Sequence, residues 1–342
     1  MSNIEGMNAS SSERRRSTVN VIGDIFVDII ATGMEEMPSW EKDTLASIRT
    51  FPGGSALNTA MHFAYFVDEL LRQNGSRNDE EVNVALYSAI GSDNLGKICF
   101  NALNDVGRTL QNKVQIYENC RSGSCIVLSG NERRGFITDR GVINTFQLQD
   151  FEQSDLLSPR VTHTHIGGYY NCPGIRAGLC EFLQIATGAG QTISINPQYD
   201  ANENWDGIKE IAPYITYLIA NESETCKMAH KQFLPDAIDT LIKDYKILSV
   251  IVTQGAKGAT LFSFDESSLN VRSTHVPGII GVNVVDTTGA GDAFIAGILG
   301  HIVYNDVNLS SESSVAALLR DGCTVGAAAC TVISGSAPPS KY

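Results

Sequence analysis

The chain has 342 residues, 43% of them hydrophobic, and a formal net charge of −13. That length suits one large α/β domain or two ordinary ones, and the acidic balance argues against a nucleic-acid binder, which needs a basic face. No apolar run reaches the roughly 18 residues that span a membrane, so a soluble, cytoplasmic chain without a membrane partner is expected. Eight cysteines are scattered without a Cys-x-x-Cys pair. They read as small core residues in a reducing compartment, not as a disulfide framework or zinc site.

Residues 1–18 are Ser-rich, carry Arg14-Arg15-Arg16, and read as a disordered tail ahead of a domain over 19–342. The first β-branched run, Val19–Ile22, ends in Gly23-Asp24-Ile25-Phe26-Val27-Asp28, where two carboxylates follow a strand end. Alone, that motif is equally a solvated strand end. Residues 26–52 then look like paired extended segments with polar turns, as do residues 116–146. Both fit a small separate sheet, placed as a lid over the main site. Pro52-Gly53-Gly54-Ser55-Ala56-Leu57-Asn58 lets backbone approach a ligand before a helix over Ala56–Leu71, with Asn58 one turn inside. A plain loop-to-helix turn capped by Ser55 explains the same letters. Arg72–Glu81, with Asn74-Gly75-Ser76, reads as a surface loop.

Further apolar runs at Val82–Tyr87, Val161–Ile166, Thr192–Ile195, Tyr217–Ala220, Leu248–Thr253 and Val282–Val285 read as strands. Helical patterns at Ala177–Ala186 and Ala237–Lys243 fall between them. This alternation predicts a mostly parallel sheet covered on both faces, with ligands beyond the carboxyl ends of its strands. His163 and His165 alternate along one strand and read as satisfied strand residues, not metal ligands. Asn221-Glu222-Ser223-Glu224 is an Asn-x-x-Glu arrangement that either orders water around magnesium or forms a capping box. Thr253-Gln254-Gly255-Ala256-Lys257-Gly258 is a glycine turn that suits nucleotide phosphates or a simple hairpin.

The segment Asp286-Thr287-Thr288-Gly289-Ala290-Gly291-Asp292 lies between the Gly281–Val285 run and an apolar run, Ala293–Tyr304. Read as strand, glycine turn and helix, it aims backbone N–H groups and a helix dipole at one point, where an anion is favoured. A carboxylate beside an anion hole is costly unless it has a chemical task, such as taking a proton from a substrate hydroxyl during phosphoryl transfer. An N-capping aspartate is the structural alternative. The helix that follows is apolar on every face, hence central and buried. No Walker-type P-loop occurs in the chain.

In this order and at these separations, the motifs resemble the ribokinase-like (PfkB) family of carbohydrate and nucleoside kinases from about Val19 to Pro339. Gly53-Gly54 with Asn58 is similar to the family's first signature, and Asp286 to Asp292 to its second. Ala89-Ile90-Gly91-Ser92-Asp93-Asn94-Leu95-Gly96 and Arg134-Gly135-Phe136-Ile137-Thr138 fall in the expected places. The resemblance implies a three-layer α/β/α sandwich with a mostly parallel sheet and a small β-sheet lid. It implies an ATP-dependent phosphotransferase with Asp292 as general base and Gly289, Ala290 and Gly291 as anion hole. Asp28, Gly53, Gly54 and Asn58 would bind substrate hydroxyls, helped by Asp24. Asn221 and Glu224 would order water around Mg2+, and Thr253, Gly255, Gly258 and Gly291 would line the ATP site. Potassium would be held by Asp286, Thr288, Cys330, Ile333 and Gly335.

Departures bear on the substrate. Ser55 and Ala56 stand where ribokinases carry Lys and Gly, Phe26 where they place Asn, and Asp24 where adenosine kinases favour Asn. The short stretch from Asp28 to Gly53 looks sugar-like. A ribose- or fructose-like acceptor is the first expectation, and a nucleoside kinase is second, tested by whether Phe26, Trp40 or Phe136 can stack a purine. Phosphorylated sugars would need a clamp from Arg133, Arg134 or Arg140. A non-catalytic binding protein of the same fold is a third class. The lid's exposed edges suit a homodimer, and the terminal Ser340-Lys341-Tyr342 approximates a peroxisomal address.

Overall fold

A computed structural model of the chain describes residues 16–73, 81–130 and 133–339. Expectations that fall on the tail up to residue 15, on Asn74-Gly75-Ser76 and on Ser340-Lys341-Tyr342 lie outside those residues, as does the side chain of Arg133. Nine strands form the main sheet, in the order Asn270–Val276, Ala259–Asp265, Ser249–Thr253, Tyr217–Asn221, Thr192–Asn196, Val161–Gly167, Arg16–Gly23, Glu81–Tyr87, Leu110–Asn112. The seven strands from Ser249–Thr253 onward run parallel, and the first two, Asn270–Val276 and Ala259–Asp265, form an antiparallel hairpin edge. The first strand starts at Arg16, so residues 16–18, expected in the tail, belong to the sheet.

The period-2 geometry of the strands explains the layers. Ile22 faces one hydrophobic cluster while Val19 and Val21 face the other, and Val250 and Val252 lie opposite Ile251 in the same way. Each cluster is closed by helices: Pro173–Gly188 on one face, and Ser55–Gln73, Ala290–Tyr304 and Glu312–Ala329 on the other. Burial of each large aliphatic side chain there contributes roughly 1.5–3 kcal/mol.

Three expectations are corrected. Val282–Val285 is not a strand: Val284 and Val285 are half exposed, and the N–H groups of Val285 and Asp286 both donate to Cys330 O instead of a ladder. β-Branched residues favour a strand only where a partner strand exists. The helix read at Ala237–Lys243 is an α-helix over Leu234–Asp239 that continues as a π turn, Thr240–Asp244. Of the cysteines, only Cys99, Cys172 and Cys323 are buried, and all eight are free.

The lid is a four-stranded sheet, Ser47–Gly53, Phe26–Thr32, Ser124–Gly130, Arg133–Asp139. It is narrower than the segment 116–146. Gln115–Tyr117 pairs with Ala89–Gly91 in the body, and Gly141–Asn144 is a 3-10 turn with Val142 and Ile143 in the core. Asp93 joins lid to body, accepting from Gly96 N at the start of one helix and from Ser122 N and Oγ at the root of a lid strand. His163 and His165 both bond Ser194 of the neighbouring strand at 2.7 Å.

Candidate active site

The carboxyl ends of the central strands converge on one edge: Gly23 is in register with Gly167, Gly167 with Asn196, and Asn221 with Thr253. Two buried helices begin there. The first, Ser55–Gln73, is started by a backbone only glycine tolerates: Gly54 has φ 99°, and a Cβ on it would lie 2.7 Å from Asp24 O. Gly53 beside it lies against the Asp28 carboxyl. The first turn of this helix is not capped by Ser55. Asp24 does that work, accepting from Ala56 N at 3.1 Å and from Asn171 Nδ2 at 2.8 Å. Asp24 is only 1% exposed and anchors the start of the helix.

The second helix, Ala290–Tyr304, is buried from Asp292 to His301, as its apolar faces required. Gly289 stands at its N-cap with φ 73°, packed so tightly on Gly335 that a Cβ would meet Cα of Gly335 at 2.4 Å. Ala290 N–H donates to Thr287 O at 3.3 Å, and among the described residues no acceptor meets the N–H groups of Gly291 or Asp292. Open space surrounds the Cα of Gly291. These free donors, at the positive end of a helix dipole, are what an anion requires.

Asp292 lies in the first turn, where the two helices meet. Ser55 Oγ donates to its Oδ1 at 2.8 Å and Asn58 Nδ2 to its Oδ2 at 2.9 Å, while Gln198 Nε2 approaches Oδ1 at 3.4 Å. Burial pushes the Asp292 carboxyl up to about 7, against the lowering effect of Asn58 and Ser55. Asp28, on the lid strand that pairs with Ser47–Gly53, is pushed up to about 7 by burial and by the charges of Asp292, Asp24 and Asp286. Burial likewise brings Asp24 to about 6. Oδ1 of Asn58 is buried without a partner, an acceptor that an incoming hydroxyl can satisfy.

Asn221 and Glu224 form a capping box: Glu224 N donates to Asn221 Oδ1 at 2.9 Å and Asn221 N to Glu224 Oε2 at 3.1 Å. Burial raises Glu224 against the lowering effect of its bonds to Asn221, and Glu224 is near enough for its charge to raise Asp292. Thr253 ends the adjacent strand, with Gly255 and Gly258 in the hairpin turn after it. On the far side, Asp286 Oδ1 accepts from Thr288 N and Oγ1 and from Arg134 of the lid at 3.0 Å, and its Oδ2 accepts from Ser334 N at 3.3 Å. Burial works to raise Asp286, but those donors and the Arg134 cation hold it below the usual value. Cys330 O accepts from Val285 N, and Gly335 O bonds His62 Nε2 at 3.0 Å, while Ile333 is half exposed.

Of the three aromatics, Phe26 is buried in the core, Trp40 is 96% exposed, and only Phe136 stands open on the lid face that carries Asp28. Arg140 donates to Tyr170 O and Arg134 to Asp286, so neither points a free cation at the cleft. The spacing of motifs gave no sign that Ser55, Gln198 and Asn171 contact the carboxylates. Ser55 and Gln198 lie 237 and 94 residues from Asp292 in sequence.

The sequence description of the pfkB family carbohydrate kinases matches residues 16–341. An adenosine kinase of Saccharomyces cerevisiae is 24% identical over 265 residues, covering 74% of this chain and 72% of that protein. A fructokinase of Vibrio alginolyticus is 26% identical over 291 residues, covering 82% of each. Among solved structures, a ribokinase from Giardia lamblia superposes with a TM-score of 0.76 at 15% identity, over 95% of this chain and 96% of that one. An E. coli protein described as a ribokinase II, in complex with ATP and Mg2+, gives 0.73 at 20% identity over the same shares. These structures share the three-layer fold and its lid, and with the family match over nearly the whole length they place the chain among ATP-dependent phosphotransferases: it belongs to the pfkB family of carbohydrate kinases.

Proposed function

We propose that this kinase transfers the γ-phosphoryl group of ATP to a hydroxymethyl group of a small sugar, ribose- or fructose-like, with Asp292 as general base. The observation that carries the reading is the Asp292 carboxylate, held by Ser55 and Asn58 beside the free amides of Gly291 and Asp292 at a buried helix start. The acceptor oxygen attacks phosphorus as its proton passes to Asp292, and the bond to the ADP oxygen breaks. The backbone N–H groups around Gly289, Ala290 and Gly291 stabilise charge on the moving phosphoryl oxygens. Positioning and charge stabilisation provide most of the acceleration in such transfers. Asp28, Gly53, Gly54 and the unpaired Oδ1 of Asn58 receive the sugar hydroxyls, with Asp24 fixing the helix that presents them.

Thr253, Gly255 and Gly258 line the nucleotide side. Asn221 and the Glu224 carboxylate beside it would order water around Mg2+, which would neutralise phosphate charge. For potassium, the carboxylate of Asp286, the hydroxyl of Thr288 and the carbonyls of Cys330, Ile333 and Gly335 are oxygen donors of the right kind. Asp286 Oδ2, which has only the long bond from Ser334 N, is the least engaged. Isoleucines 29, 48, 126 and 137 share the lid face turned away from Asp28, and Ile48 and Ile137 are exposed, which suits a homodimer through the lid. The chain would act in the cytoplasm; among the described residues no helix is long and apolar enough to cross a membrane.

A nucleoside acceptor is the second reading, favoured by the exposed ring of Phe136 on the substrate face of the lid. Release of ADP on mixing the enzyme and MgATP with ribose, fructose or adenosine, with and without potassium, tests both. Turnover with adenosine alone would overturn the sugar assignment, and no ADP with any polyol would overturn the phosphotransfer proposal for this class.

A further inference from the structure

The peptide after the strand Thr192–Asn196 carries backbone strain at one position that faces the base. Gln198 has φ 55°, in the left-handed region that a side chain adopts only under strain. A glycine would remove that strain, yet the position holds a glutamine whose Nε2 lies 3.4 Å from Asp292 Oδ1.

The flanking chain is fixed on both sides. Tyr170 N donates to Pro197 O at 3.0 Å. Downstream, Asp200 accepts from the N–H groups of Asn202, Asn204 and Trp205, and the Tyr199 and Trp205 rings meet edge to face at 5.5 Å. Lys227, one turn beyond Glu224, covers both rings at 4.6 and 5.2 Å. The Gln198 backbone is therefore held in place by its surroundings, and its carboxamide is delivered to the base.

The three donors to Asp292 are not equivalent. Ser55 and Asn58 are buried and come from one helix, whereas Gln198 is partly open, comes from a different element, and makes the longest bond. An acceptor hydroxyl must donate to a carboxylate oxygen, and Oδ1 is the one already shared with the loosest donor. We propose that Gln198 is the positioning residue of the base: its carboxamide holds the orientation of the Asp292 carboxylate from the cleft side while the acceptor hydroxyl donates to the same carboxylate. This rests on Asp292 being the base. The other charged groups that face Asp292 are carboxylates, Asp24, Asp28 and Glu224, so Gln198 supplies a neutral donor where a cation is lacking.

Two measurements on the full-length enzyme test it. In side-chain amide NMR, the Gln198 resonance, assigned by its loss in Gln198→Ala, should shift as pH is raised through the titration of Asp292 and become pH-independent in Asp292→Asn. A Gln198 resonance that ignores pH in the wild type sinks the contact. In kinetics with whichever of ribose, fructose or adenosine turns over, Gln198→Ala and Gln198→Gly should both lower kcat about tenfold or more with KM for MgATP within about twofold. Gln198→Gly should at the same time raise Tm, because the strain is relieved. Both variants keeping wild-type kcat would overturn the positioning role. Full activity in Asp292→Asn would instead overturn the base assignment, so the two failures are distinct.

Discussion

At the scale of single residues, the site is a contest between burial and hydrogen bonding around one carboxylate. Ser55 and Asn58 favour the ionised form of Asp292, and burial with nearby Asp24 and Glu224 disfavours it more, leaving the group at about 7. A base needs its ionised form, so activity should fall tenfold per pH unit below about 7 and level off above it. Ser55→Ala removes a donor to the charged form. Its acid limb should therefore move to higher pH by roughly half a unit to one unit, with the plateau rate near pH 9 little changed. An acid limb that stays in place would remove Ser55 from the tuning of the base. Asp292→Asn should lower kcat by about 10^3-fold or more, since the proton acceptor is gone, while the KM for MgATP stays within about twofold. Near-normal turnover in that variant would refute the general-base role.

Elements bring these residues together, and glycine geometry decides whether they meet. Gly289 has φ 73° and no room for a Cβ against the Gly335 backbone. Gly289→Ala should therefore cost about 2–4 kcal/mol in chemical denaturation, because left-handed strain and backbone overlap add. It should also lower kcat by displacing the helix start; a variant of wild-type stability would show that the loop yields freely. Such glycines made the site legible in sequence: Gly54 and Gly289 are dictated by backbone shape, and they marked two helix starts. The six strands from Arg16–Gly23 to Ser249–Thr253 were legible too, because a sheet buried on both faces demands continuous β-branched runs. Val282–Val285 carries the same letters without a neighbour to pair with, and period alone cannot tell the two apart. Asp24 enters as a helper in substrate binding through the family resemblance, while its acceptance of hydrogen bonds from Ala56 N and Asn171 Nδ2 joins elements that no local spacing connects. The contacts of Ser55 and Gln198 with Asp292 join elements far apart in the chain, and no local spacing encodes them.

For the whole molecule, three buried carboxylates gathered between lid and body carry a cost that depends on pH. Asp24 stands at about 6, and Asp28 and Asp292 at about 7, each raised chiefly by burial from the ordinary aspartate value of 3.8. The folded enzyme thus holds protons that the unfolded chain has released between about pH 4 and pH 7. Stability from these groups is full below the unfolded value and declines as pH rises through the folded values, the reverse of an ion-paired carboxylate. Asp28 is the group to change, because it is held up by burial and three other carboxylates and, in contrast to Asp24, caps no helix. Asp28→Asn keeps its shape and removes its charge. The variant should gain on the order of 2 kcal/mol at pH 8, seen as a higher Tm, and nothing at pH 4, where the native aspartic acid is already neutral. Its acid limb of activity should shift to lower pH, because Asp292 loses a repelling neighbour. Equal Tm changes at both pH values would mean that Asp28 is not buried as a charge, and that the lid does not close on the cleft in the unliganded enzyme.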